Sequence, residues 1–325
     1  MTQRNKRVAG WGMAILLALC AAHADSPEGS MIPAWLFAVP SAVSTSAGLD
    51  DRPVGIPGSD VRYTLARIND PFNAPDWHPD QHEPMPAVVA SGRSPALMAC
   101  AFCHTPTGQG RPENSALAGL SADYLRRQLV DFRSGARSMI GPADYLPARA
   151  MQNGAQALTE AEINVVAEYF SRQALGPRVQ VIEAQRIPKV IVAGWVYARD
   201  PAGGDEPLDG RLIEVAPDLT RHERRDDRMV YTAYVPVGSL ARGERLASNA
   251  NAGLHCVSCH APELRGSVVA PAIAGRSPTY LARQLFAFRD QTRTGPQAAL
   301  MRSVVDKFDT DGIVALAAYV SSLPP

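Results

Sequence analysis

Along residues 117–137 the apolar side chains return every three or four positions. Tyr124, Leu125, Leu129 and Phe132 share one stripe with Gln128, which predicts an amphipathic helix with Ser121 as its N-cap. At an offset of 156 residues the same stretch recurs as 273–293. Eleven of its 21 positions are identical, among them Gly119/Gly275, Tyr124/Tyr280, Gln128/Gln284, Leu129/Leu285 and Phe132/Phe288. Here Ser277 is the predicted cap and Pro278 takes the first turn. A further helix closes each copy. TEAEINVVAEYF opens on a capping box, Thr159 with Glu162, and DTDGIVALAAYV opens on Asp309. The chain therefore holds two copies of one helical unit.

Between and before the copies the pattern changes. Over 176–237 the runs VQVIEA, KVIVAGWVYA, RLIEVA and MVYTAYV are β-branched and aromatic, bounded by Gly, Pro and Asp, and predict four short strands. They suggest a spacer that sets the distance between the copies, or else a docking surface. Residues 25–92 are Pro-rich with no clear period, and are expected to lie as extended chain over the first copy. Their His78 and His82, split by Pro79, are read as loop residues, with an alternative iron ligand or extra metal site as the other reading. RHERRDDR, at 221–228, is mixed in sign and is expected to be a solvated loop, with His222 and His255 at the surface.

At the start, Arg4, Lys6 and Arg7 precede VAGWGMAILLALCAA, an apolar run too short for a comfortable membrane span. AHA at 22–24 fits cleavage after Ala24. The alternatives are an uncleaved anchor, or a lipoprotein modified at Cys20, against which bulky Leu19 argues. Removal of this signal takes the formal net charge from 0 to −3. No basic block is long enough to follow a nucleic-acid backbone. Of 325 residues, 46% are hydrophobic and 20% charged, so cores are easily built, while 27 prolines and 25 glycines point to short helices and long loops.

The chemistry lies in ACAFCHT and HCVSCHA, which place Cys100, Cys103, His104 and Cys256, Cys259, His260 ahead of each repeated helix. These four cysteines are the only ones left once Cys20 departs, and an exported chain would oxidise free pairs. A thiol redox pair gives no reason for the histidine. A zinc centre needs four ligands, and nothing else in the chain supplies a pair at finger spacing. Haem attachment uses all three residues: two thioethers to the vinyl groups and an axial imidazole. In each copy a methionine stands eight residues before the cap of the last helix, Met151 before Thr159 and Met301 before Asp309, although the copies differ by six residues upstream. A fixed sixth ligand would keep that spacing. The loops before the last helices are therefore expected to present Met151 and Met301 to the irons. Met85, Met98, Met139 and Met229 are read as core filler.

With these motifs, the LAG/IAG step and the YF/YV closing helices, each copy resembles a class I cytochrome c domain. The pair resembles the dihaem cytochrome c4 or c553-type proteins. The resemblance implies a mainly α fold of two tandem cytochrome c domains with a small β-rich insert. The expected limits are a signal at 1–24, an extension at 25–92, domain one at 93–175, the insert at 176–237 and domain two at 238–325. It also implies two covalent haem c groups and electron carriage without a catalytic residue. The expected place is the periplasm, with a dehydrogenase or quinol oxidase as donor, a terminal oxidase or reductase as acceptor, and membrane contact only through a partner. A haem subunit of a periplasmic dehydrogenase is the alternative, and a dihaem peroxidase-type enzyme the lesser one. The family places a proline before the LAG-type glycine, whose carbonyl accepts from the ligand histidine. Copy two has Pro271 there, while copy one has Ser115.

Overall fold

The computed structural model describes residues 32–40, 51–138, 141–143, 145–248 and 255–325. The signal at 1–24, with Cys20, lies outside the described residues, as does Met139.

Each copy is a small helical domain. Domain one is built from Cys100–His104, Ala122–Ser134, Leu146–Ala157 and Glu160–Ser171. Domain two is built from Ser239–Ser248, Cys256–His260, Pro278–Arg289, Ala298–Val305 and Thr310–Ser322. The caps are those expected. Ser121 accepts from Tyr124 N, Ser277 from Tyr280 N and Asp309 from Gly312 N, and both halves of the Thr159–Glu162 box are formed. The two methionines differ from expectation. Met151 and Met301 lie within helices, not loops. Proline near the start of LPARAMQNGAQA suits a first helical turn, and only packing against the domain reveals the apolar face that follows.

In domain two the first and last helices cross at Gly243, where a Cβ would run into the Ala315 carbonyl. Only glycine allows that approach. The core beneath holds Phe286, Ile313 and Val314, all essentially inaccessible. In domain one, Leu125, Leu129, Ile163, Tyr169 and Phe170 play this part.

The β-rich insert has seven strands rather than four: β1 (Val179–Glu183), β2 (Arg186–Pro188), β3 (Val190–Ala193), β4 (Val196–Arg199), β5 (Asp205–Pro207), β6 (Ile213–Ala216) and β7 (Tyr231–Val235). KVIVAGWVYA is a hairpin, because Gly194 turns β3 back on β4. The main sheet runs β1-β7-β6-β4-β3, parallel at β1/β7 and β4/β6, while β2 and β5 pair separately. Central β6 is buried at every position, and edge strand β3 leaves Ile191 and Val192 exposed.

The extension divides. Val88 and Val89 enter the core of domain one, and Ile56, Ile68 and Trp77 form a cluster of their own. Residues 32–40, however, send Leu36 and Phe37 into the core of domain two, where extended chain over domain one was expected. Ile32, Trp35, Leu36, Phe37 and Val39 carry that docking, a stretch too short to leave a period in the sequence.

Segment 221–228 also departs from expectation. His222, Asp226 and Asp227 are buried, and Leu219–Glu223 is a short helix. Its charges find partners: Arg221 with Asp226 at 2.6 Å, Arg224 with Gly55 O, and Arg225 with Ile68 O and Phe102 O. Mixed sign here marks a junction between insert, extension and domain one, not a solvated loop.

Candidate functional site

CAFCH and CVSCH each form a single helical turn that ends at the histidine. The next residue, Thr105 or Ala261, takes positive φ and turns the chain away. Both imidazoles are buried. His104 Nδ1 lies 2.8 Å from Ser115 O, and His260 Nδ1 lies 2.7 Å from Pro271 O. A carbonyl only accepts, so each Nδ1 carries the proton, and Nε2 keeps its lone pair for a metal. Burial holds both rings below the usual histidine pKa, hence neutral. The serine in copy one thus keeps the hydrogen bond that proline makes in copy two.

Around Cys100, Cys103 and His104 lies an apolar cavity of about 170 Å³, walled by Leu97, Leu125 and Leu129 and reached by Met151 from the helix Leu146–Ala157. A packed interior does not leave a void of that size between side chains. Two thiols, a neutral imidazole and a thioether facing one apolar slot are the donor set of a covalently held haem. Met98 also lines it, which the core-filler reading did not anticipate. Burial pushes the thiol of Cys100 up to about 12, with Cys103 adding to the shift, and burial takes Cys256 to about 11. Reactive redox thiols need the opposite shift. Cys100 packs in one domain core and Cys256 in the other. Among the described residues no cluster of three or more His, Cys, Asp and Glu could hold a metal ion.

In copy two, Cys256 and Val257 pack on the core of domain two, and Met301 packs with Phe288 and Val305.

Domain two completes the first cavity. Its Tyr280, Arg283 and Gln284 line it together with the residues of domain one. Tyr280 and Gln284 belong to a reciprocal network at the domain interface. Arg137 donates to Gln128, Tyr280 and Gln284, and Arg293 donates to Gln284, Tyr124 and Gln128, over 2.6–3.0 Å. Each member has its partner 156 residues away, so the constellation has two-fold character, and Arg137 and Arg293 face one another in an antiparallel bridge. All six residues were visible in the repeat, but nothing in one copy revealed that they pair across copies. Buried Arg137, Arg283 and Arg293 enter no ion pair among the described residues. Two of them, Arg137 and Arg283, line the first cavity, where an unpaired cation suits an anionic group.

His78 and His82 are held elsewhere. His82 Nε2 is 3.2 Å from Asp76, and neither histidine lines the cavity. His222 is buried, contrary to its expected surface position: it accepts from Arg111 at Nε2, 2.6 Å away, and therefore donates from Nδ1 to Tyr231 OH at 3.0 Å.

The model of the family described as Cytochrome c matches residues 89–173 and 240–324. The chain belongs to the cytochrome c family, as a dihaem class I, cytochrome c4-like member. It is 29% identical over 235 residues to a thiosulfate dehydrogenase electron acceptor of Stutzerimonas stutzeri (strain A1501), covering 71% of this chain and 82% of that one. It is 26% identical over 239 residues to cytochrome c4 of Azotobacter vinelandii, covering 72% and 89%. Among solved structures, reduced recombinant cytochrome c4 from Pseudomonas stutzeri shares 24% identity with a TM-score of 0.42, covering 69% of this chain and 93% of that one. The chain carries two covalently attached haem c groups and is an electron carrier.

Proposed function

We propose that Cys100 and Cys103 bind one haem through thioethers, with His104 and Met151 as its axial ligands. Cys256, Cys259, His260 and Met301 serve the second haem in the same way. The two Nδ1–carbonyl bonds carry this reading, since they fix the tautomer that a metal-ligating imidazole requires. Haem c, when bound, supplies a one-electron ferric–ferrous couple. The protein's side chains do the rest. His104 with Met151, and His260 with Met301, would hold the irons and leave no position for a substrate, and the apolar wall would exclude water and favour the less charged ferrous form. The protein is therefore a carrier and not an enzyme, and none of its residues is catalytic.

The working limits are 93–175 and 238–325 for the two haem domains, with 176–237 as a spacer. Export with cleavage after Ala24 puts the protein in the periplasm. Among the described residues no helix is long and apolar enough to cross a membrane. The donor is a dehydrogenase or quinol oxidase, and the acceptor a terminal oxidase or reductase. The names of two relatives, a thiosulfate dehydrogenase electron acceptor and a cytochrome subunit of sulfide dehydrogenase, favour a sulfur-compound dehydrogenase as donor. They also favour the second reading, a haem subunit that stays with its dehydrogenase.

Intact-mass measurement of exported protein should give the polypeptide from Asp25 plus two haems. Stopped-flow reduction by thiosulfate dehydrogenase and thiosulfate should reduce both haems faster than thiosulfate alone. Apoprotein mass would end the haem assignment, and equal rates would end the donor assignment.

A further inference from the structure

Arg276 stands directly after the glycine of the IAG step, and its side chain is almost wholly buried, at 3% exposure. It spans the domain interface. Nε donates to Ala272 O at 2.7 Å, Nη1 to Ala116 O at 2.9 Å and Nη2 to Ala118 O at 2.8 Å. Ala116 and Ala272 are equivalent positions of the repeat, 156 residues apart. Ala116 follows Ser115, whose carbonyl accepts from His104, and Ala272 follows Pro271, whose carbonyl accepts from His260. One guanidinium therefore ties together the two loops that orient the two imidazoles.

The arrangement is one-sided. The position in copy one that matches Arg276 is Leu120, a core residue that lines the first cavity. The clamp thus reaches from the copy that has a proline into the copy that lacks one. Proline fixes its own φ and stiffens the peptide it begins, whereas serine leaves both free. Two carbonyls gripped by a planar fork supply that stiffness from outside. Both loops are otherwise tightly packed: a Cβ on Gly110 or on Gly266 would strike the backbone of Ala116 or Ala272. Burial lowers Arg276 to about 10, so it stays protonated at neutral pH. Its three acceptors among the described residues are neutral carbonyls.

We propose that Arg276 is a positioning residue for both haem-ligating histidines, acting most strongly on His104, where it replaces the missing proline. This rests on the reading of His104 and His260 as iron ligands. Wild-type holoprotein tests that reading first: its oxidised NMR spectrum should show two sets of hyperfine-shifted imidazole resonances. If it does not, the ligand reading fails, whatever the variants do.

The inference itself is tested in full-length holoprotein with Arg276→Gln, Arg276→Lys, and each combined with Ser115→Pro. The readouts are the haem methyl shifts, which report imidazole orientation, and the two midpoint potentials. Arg276→Gln should displace the methyl shifts of haem one more than those of haem two, and lower both potentials through the lost cation. Arg276→Lys keeps the charge but not the fork, so it should reproduce the methyl displacement with a smaller fall in potential. Ser115→Pro should return the haem-one pattern toward wild type in either background. If Arg276→Gln does not accumulate, the lysine pair carries the test. Unchanged haem-one shifts in the lysine or glutamine variant would overturn the proposal. So would a displacement that Ser115→Pro leaves untouched.

Discussion

At the scale of single residues, the carbonyl that holds the imidazole comes from Ser115 in one site and Pro271 in the other, yet the bond is conserved within 0.1 Å. The Cys and His positions were legible because haem chemistry demands a contiguous spelling. The proposed methionine ligands could be picked out only by comparing the two copies, and both sit in helices where loops were expected. Replacing Met151 or Met301 by Ala should turn one haem high-spin and leave the other unchanged, as read from the visible spectrum. Met98→Leu, at a sulfur that also lines the first cavity, should leave both low-spin. His222 carries a different prediction. Burial, with Arg111 and Arg225 nearby, holds its pKa well below 6.5. As pH falls through 6.5, protons bind the unfolded chain in preference, so this contribution to stability is full above about 6.5 and shrinks toward the depressed folded value. Denaturant melts between pH 7 and 5 should show a shallower pH slope for His222→Gln than for wild type. An identical slope would count against the buried neutral imidazole. Sequence alone misplaced His222, because a run of charges reads as surface until its partners, scattered over 170 residues, are known.

At the scale of elements, caps and stripes were the most readable features, since each is decided within four residues. Thr159→Ala breaks a complete capping box and should cost about 1 kcal/mol, measured by denaturation against Glu160→Gln as a neighbouring control. Strand number was less readable. A single apolar run concealed a hairpin at Gly194, and β2 and β5 are only three residues long. The insert is fastened at both ends. Arg225 lies 3.4 Å from the ring centroid of Phe102, inside the first haem motif. Glu214 of β6 accepts from Ser277 Oγ at 2.5 Å, at the start of the helix Pro278–Arg289. A carboxylate there complements the helix dipole. Gripped on one side by a haem motif and on the other by a helix cap, the insert has the attachments of a spacer. Glu214→Gln should lower stability while leaving the domain-one spectrum intact.

For the whole molecule, tandem architecture followed from the repeat, but the packing of the copies did not. The interface is made from residues that one copy cannot use alone, two arginines and two glutamines that exchange partners across a pseudo-two-fold axis. Leu36 and Phe37 add a strap from the far N-terminal side onto domain two. Phe286, wholly buried beneath that strap, should cost about 3–5 kcal/mol when cut to Ala. If the domains melt as one unit, calorimetry of Phe286→Ala will show both haem regions shifting together. Two separated transitions would mean that the interface does not couple them.

The last wall of the first cavity comes from residues 280–284, nearly at the opposite end of the chain. A chain that folds from its N-terminal side therefore completes its leading CAFCH turn long before that wall arrives. Until Tyr280, Arg283 and Gln284 are in place the first cavity is open on their side, so its closure waits on the second half of the chain.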